Sequence, residues 1–154
     1  MGQQQLLLVI LVTIIVGIAT VVAINTFGAA ADSANVDAVR QDVSQIAAAA
    51  QGYYMKPRML GGGGRTFTDI TFRDFAFAAA GLSVDGDFAQ NENGFYELVA
   101  GADDQEFTIR ACAASNENYV PGTIVDGVLS GGTCGTPVGT ATVTPNDATP
   151  LTFS

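Results

Sequence analysis

Leu6 to Ile24, LLLVILVTIIVGIATVVAI, is the stretch that decides how the rest of the chain is read. Its nineteen residues include no charged side chain, and only Thr13 and Thr20 are polar. At about 1.5 Å per residue it makes a helix of roughly 28 Å, close to the thickness of a bilayer core. It can span a membrane. A secretory signal would begin with basic residues and carry a shorter apolar core, whereas Met1, Gly2 and three glutamines precede this run; only Ala29 to Ala31 imitate a cleavage site. Met1-Gly2 is no myristoylation signal either, because Leu6 stands where Ser or Thr is needed.

Downstream the apolar pattern changes period without stopping. Val36, Val39, Val43, Ile46, Ala50 and Tyr54 recur at steps of three or four, which puts them on one helical face. Asp32, Asp37, Arg40, Asp42 and Gln45 are assigned to the other face. Asn25, Thr26 and Gly28 lower helix propensity between the halves, but no proline interrupts them. One helix is therefore expected from Gly2 to Met55, ending at Lys56 because Pro57 disfavours helix in the residue before it. Within the apolar half Thr13, Gly17 and Thr20 share a face, where small residues let helices approach closely in an apolar medium.

The charge is uneven. Residues 1–80 hold five acids and five bases; residues 81–154 hold ten acids and Arg110 alone, so the net charge of −9 lies in the second half. That surface repels phosphate backbones, and six basic residues give no footprint for nucleic acid. Cys112 and Cys134 are the only cysteines and there is no histidine, so a four-ligand zinc site cannot be assembled from them. A disulfide is the better reading, and it points to an oxidising, extracytoplasmic setting.

The opening residues Met1-Gly2-Gln3-Gln4-Gln5-Leu6-Leu7-Leu8-Val9-Ile10 resemble the start of type IV pilins and their pseudopilin relatives: an aromatic residue, Thr, two apolar residues, Glu, then Leu-Leu-Ile-Val-Ile. The resemblance covers about twenty-five residues as sequence and the whole chain as architecture. It implies an apolar half-helix continuing into an amphipathic half that underlies a small head with strands and a disulfide-closed C-terminal segment. It also implies a homopolymeric filament, reached from the membrane with a prepilin peptidase and assembly machinery as partners. Three positions depart from the pattern. Gln5 replaces the acid that in the family neutralises a neighbouring subunit's terminal amine, Met1 replaces the aromatic residue, and Val22 stands where bacterial pilins often have proline.

The expected fold class is α+β: residues 1–56 form the long helix (1–27 apolar, 28–56 amphipathic) and residues 57–154 a β-rich head. Gly61 to Gly64 reads as a flexible turn or linker, lacking the Lys-Ser/Thr of a phosphate-binding loop. Thr71, with Asp74 three residues on and Gly81 as the stop, predicts a short helix over Phe72–Ala80. Alternation predicts strands over Gly94–Ala100 and Glu106–Ala113, joined by a turn at Gly101–Asp104, so an antiparallel hairpin. Thr123–Val125 and Val128–Leu129 flank an Asp126-Gly127 turn. Shorter β-prone pieces are Thr140–Thr144 and Leu151–Phe153.

Nothing in the sequence points to catalysis, since the commonest general base is missing and the cysteines are read as oxidised. No cofactor is expected. Asp85 and Asp87, with Asn91 and Asn93, offer oxygen ligands that only weakly suggest Ca²⁺; the EF-hand spacing is absent and an ordinary acidic turn explains them better. The expected function is that of a filament subunit assembling through Gln5, Leu6, Leu7, Val9, Ile10, Thr13, Ile14, Gly17, Thr20, Val21 and Ile24. The alternative is a monomeric membrane-anchored binding domain, an adhesin or minor pseudopilin using the loops around Asp85 or Asn116.

Overall fold

One helix, α1, runs from Gly2 to Met55. It has the bounds that the change of apolar period and Pro57 predict. The computed structural model describes residues 2–101, 103–135, 137, 139–145 and 152–153. The chain divides into two compact units inside this helix, Met1–Ala34 and Asn35–Ser154.

In the second unit the fold is built on the amphipathic part of α1. Val39, Val43, Ile46, Ala47 and Ala50 are buried, and Val36, Tyr53 and Tyr54 are half-buried against the same core. Their partners come from the inner face of a sheet. Its strands are β1 (Gly81–Leu82), β2 (Phe88–Gln90), β3 (Gly94–Ala100), β4 (Phe107–Ala113), β6 (Thr123–Val125), β7 (Val128–Ser130), β9 (Gly139–Val143) and β10 (Thr152–Phe153), in the order β10-β9-β4-β3-β2-β1-β7-β6. The short β5 (Tyr119–Val120) and β8 (Thr133–Cys134) pair separately. The fold class is α+β, and every described pairing is antiparallel except β1 with β7, which is parallel.

The period-two pattern of β3 and β4 explains the layering. Tyr96 and Leu98, with Phe107, Ile109, Ala111 and Ala113, face the helix. Phe95 and Cys112, directly paired across the strands, face outward, where Leu129 buries them together with half-buried Phe88, Tyr119, Ile124 and Cys134. Cys112 and Cys134 form a disulfide that ties β8 to the outer face of β4. Farther along the same face, Glu97 and Arg110 stand opposite one another as an ion pair of 2.9 Å. The β6–β7 hairpin turns at Asp126 (φ 53°) and Gly127 (φ 79°), both left-handed, as a two-residue primed turn requires.

Three expectations are corrected. Phe72–Ala80 is not helical. The capping contact forms, with the Thr71 backbone N–H and hydroxyl donating to Asp74 Oδ2 at 2.9 and 2.8 Å, yet it closes only one turn. Beyond Asp74 the residues alternate half-buried and exposed, with Phe75, Phe77 and Ala79 inward and Ala76, Ala78 and Ala80 outward. Two phenylalanines two residues apart lie on opposite sides of a helix but on one side of an extended chain. The extended form lets Phe77 reach both Phe72 (5.5 Å between ring centres) and Tyr96 (5.2 Å).

The glycine tract is not a free linker either. Its backbone N–H groups cap the helix: Gly63 donates to the Tyr53 carbonyl (2.9 Å), Gly64 to Lys56 (3.0 Å), and Arg65 to Tyr54 (2.9 Å). Carbonyls that a helix end leaves unpaired are thereby satisfied. Glycine is needed for the approach, because a Cβ on Gly62 would lie 2.3 Å from the Lys56 carbonyl oxygen and one on Gly63 2.0 Å from that of Thr66.

The third correction concerns Asp42, which is half-buried at the margin of the apolar stripe of α1 and not on its solvent face. Its Oδ2 accepts hydrogen bonds from Asn91 Nδ2 (2.8 Å), Asn93 Nδ2 (2.8 Å) and the Tyr96 hydroxyl (2.6 Å). Asn91 Oδ1 in turn accepts from the backbone N–H of Asn93 and Gly94, which shapes the β2–β3 turn around the carboxylate.

Candidate assembly surface

The first unit, taken by itself, is a helix with nothing of its own to bury against. Leu, Ile and Val occupy nearly every position from Leu6 to Ile24, so apolar side chains point in all directions. Every residue from Gly2 to Ala34 is exposed; among the large apolar ones the least exposed is Ile10 at 47 % and the most Phe27 at 76 %. Isolated exposed apolar residues are ordinary, but a continuous sleeve of them marks a surface made for a partner or a membrane. The helix is long and apolar enough to cross a bilayer.

Of the residues expected to assemble, Leu6, Leu7, Val9, Ile10, Ile14, Val21 and Ile24 are exposed on this sleeve, Gly17 is open to space on its outer side, and Gln5 stands just before it. The two polar side chains within it are satisfied by their own helix. Thr13 Oγ1 donates to the Ile10 carbonyl and Thr20 Oγ1 to that of Val16, both at 2.8 Å. Thr26 and Ser33 repeat the arrangement on Val22 and Ala29. The sleeve can therefore enter an apolar medium without stranding a hydroxyl proton. No charged side chain occurs before Asp32, so nothing on it titrates. Gln5 is exposed and its side chain makes no hydrogen bond among the described residues.

Other candidate chemistry does not converge. Asp85 is exposed and Asp87 half-buried in the β1–β2 turn, while Asn91 and Asn93 are turned toward Asp42. Among the described residues no three His, Cys, Asp or Glu side chains stand close enough to hold a metal ion. A shallow recess of about 360 Å³ lies beside Asp85, floored by Phe88, Phe95 and Leu129 and rimmed by Ser83, Val84 and Ser130.

The network on Asp42 is the functional-looking feature that sequence reasoning missed. It is a structural clamp. Burial pushes the Tyr96 hydroxyl well above the usual tyrosine range, and its hydrogen bond and proximity to the Asp42 carboxylate push it further. Asn35, where the second unit begins, adds two bonds, donating to the Asn93 carbonyl and accepting from the Ser115 N–H. The Asn-Glu-Asn-Gly turn was a visible signal, but its partner lies about fifty positions upstream, beyond any local pattern.

No protein-family model, no curated protein and no solved structure matches this chain.

Proposed function

We propose that this chain is the structural subunit of an extracellular helical filament of the type IV pilin kind. The apolar half of α1 is held in the cytoplasmic membrane before assembly and buried among copies of itself afterwards. The observation that carries this reading is the sleeve Leu6–Ile24, exposed at every position and continuous with a helical segment whose own apolar stripe is already buried. At roughly 25 cal/mol per Å², burial of nineteen such residues among several neighbours amounts to tens of kcal/mol before the costs of association. The acidic head stays in water, where its charge limits non-specific contact. Disulfide-bonded Cys112 and Cys134 fit an extracytoplasmic head.

Deleting Leu6–Ile24 is expected to abolish filaments in negative-stain images of material sheared from cells. Normal filaments from that deletion would refute the proposal. The recess beside Asp85 favours a second reading, a membrane-anchored monomer that binds a ligand through its head. Such a protein stays with the membrane fraction after shearing.

A further inference from the structure

The recess beside Asp85 belongs to the second unit alone, so what it binds does not depend on whether the sleeve polymerises. Its volume, about 360 Å³, is at the small end of ligand sites. Phe88, Phe95 and Leu129 form the floor, and the turn between β1 and β2 forms one wall. That turn is fixed before any ligand arrives. Ser83 Oγ accepts from the backbone N–H of Gly86 (3.0 Å) and of Phe88 (3.1 Å), while Arg73 Nη2 donates to the carbonyls of Ser83 (3.3 Å) and Val84 (2.9 Å). Gly86 supplies the left-handed residue, at φ 86°. Asp85 is thereby carried at the rim, its side chain in no hydrogen bond or ion pair among the described residues.

Charge selects the sign of the ligand. No base lines the recess among the described residues, and residues 81–154 set ten acids against Arg110, which is already paired with Glu97. A carboxylate without a partner beside an aromatic floor attracts a cation in two ways, by its own charge and by the negative faces of the rings. The floor selects the shape. Phe95 and Leu129 are each 5 % exposed, and the rings of Phe88 and Phe95, 5.6 Å apart, are inclined at 31°, so there is no flat platform on which a sugar ring could stack. A compact cation with an apolar shell needs none.

We propose that this recess binds a small quaternary ammonium compound, its methyl groups on Phe88, Phe95 and Leu129 and its charge facing Asp85. A free compound suits it better than a phosphocholine headgroup, whose phosphate would stand over an acidic rim.

The test is equilibrium dialysis of radiolabelled choline against the full chain in a nonionic polyoxyethylene detergent. Choline should bind saturably and be displaced by tetramethylammonium. Dimethylbutanol, the uncharged carbon isostere of choline, should compete at least about tenfold more weakly, as should methyl glucoside and phosphocholine. Asp85→Asn should weaken choline about fivefold and Phe88→Leu about three- to thirtyfold, whereas Asp126→Asn, an exposed acid outside the recess, should leave the affinity unchanged. Because Asp85 is exposed, Asp85→Asn keeps the fold and decides the matter even if Phe88→Leu does not fold. Absence of saturable choline binding, equal competition by dimethylbutanol or methyl glucoside, or an unchanged affinity in Asp85→Asn would overturn the proposal. Phosphocholine binding as tightly as choline would overturn the preference for a free compound. Filament formation is scored separately by negative stain, so failure here and failure of the filament reading are distinguishable.

Discussion

Between Leu6 and Ile24 the helix is apolar on every side and exposed on every side, whereas between Val39 and Ala50 it buries Val39, Val43, Ile46, Ala47 and Ala50 and exposes Arg40, Gln41, Ser44, Gln45 and Ala48. Both segments have the same backbone. What differs is where the partner resides. The later segment narrows its apolar surface to a stripe because one sheet covers one side, and Asp42 sits at the stripe's margin where Tyr96, Asn91 and Asn93 can meet it. The earlier segment is apolar all round and polar nowhere that its own backbone does not satisfy, apart from the glutamines at its entrance. Such a surface is suited to being surrounded, by lipid or by copies of itself.

A charge placed in the sleeve breaks this contrast most severely. Ile14→Asp adds a carboxylate near the middle of the apolar half, which costs about 3 kcal/mol for membrane insertion alone. It is expected to abolish both membrane partition and filaments, with the near-ultraviolet circular dichroism of the head unchanged. A comparable loss of head structure would mean that the two segments are not energetically separate. Ile46→Ala is the converse change. Ile46 is completely buried, so the head should lose about 2–5 kcal/mol in denaturant titration while the sleeve still partitions into vesicles.

The smallest effect sharpens the margin between the two surfaces. Tyr96→Phe removes one donor to Asp42 and should cost about 1.5–3 kcal/mol. The Tyr96 hydroxyl titrates higher in the folded head than in the unfolded chain, whose tyrosines lie near 10. Its contribution is therefore complete below about pH 10 and declines as the pH rises beyond that. Denaturation at about pH 8 and about pH 11 should show a smaller alkaline loss in Tyr96→Phe than in the unaltered chain, and an equal loss would contradict the assignment.

What could be read in advance follows the range of the interactions. The helix Gly2–Met55, the strands β3 and β4 and the Asp126-Gly127 turn rest on local periodicity or turn chemistry, and the structure has them within a residue of the expected bounds. The sleeve was legible for the same reason. Phe72–Ala80 was misread because a genuine capping pair, Thr71 with Asp74, outweighed the alternation of Phe75, Phe77 and Ala79, which only makes sense once Phe72 and Tyr96 lie alongside. The glycine tract was read from composition, which carries no information about the carbonyls of Tyr53, Tyr54 and Lys56 that it caps. The parallel pairing of β1 with β7 and the Asp42 clamp join residues about fifty positions apart.

The claim that the sleeve is a polymer core is tested most directly by electron cryomicroscopy of material sheared from cells expressing the full chain. The account predicts filaments whose axis is occupied by bundled helices spanning Leu6–Ile24, with the heads outside. Filaments with the heads at the axis, or a sheared fraction without polymer while the protein stays in the membrane, would contradict it.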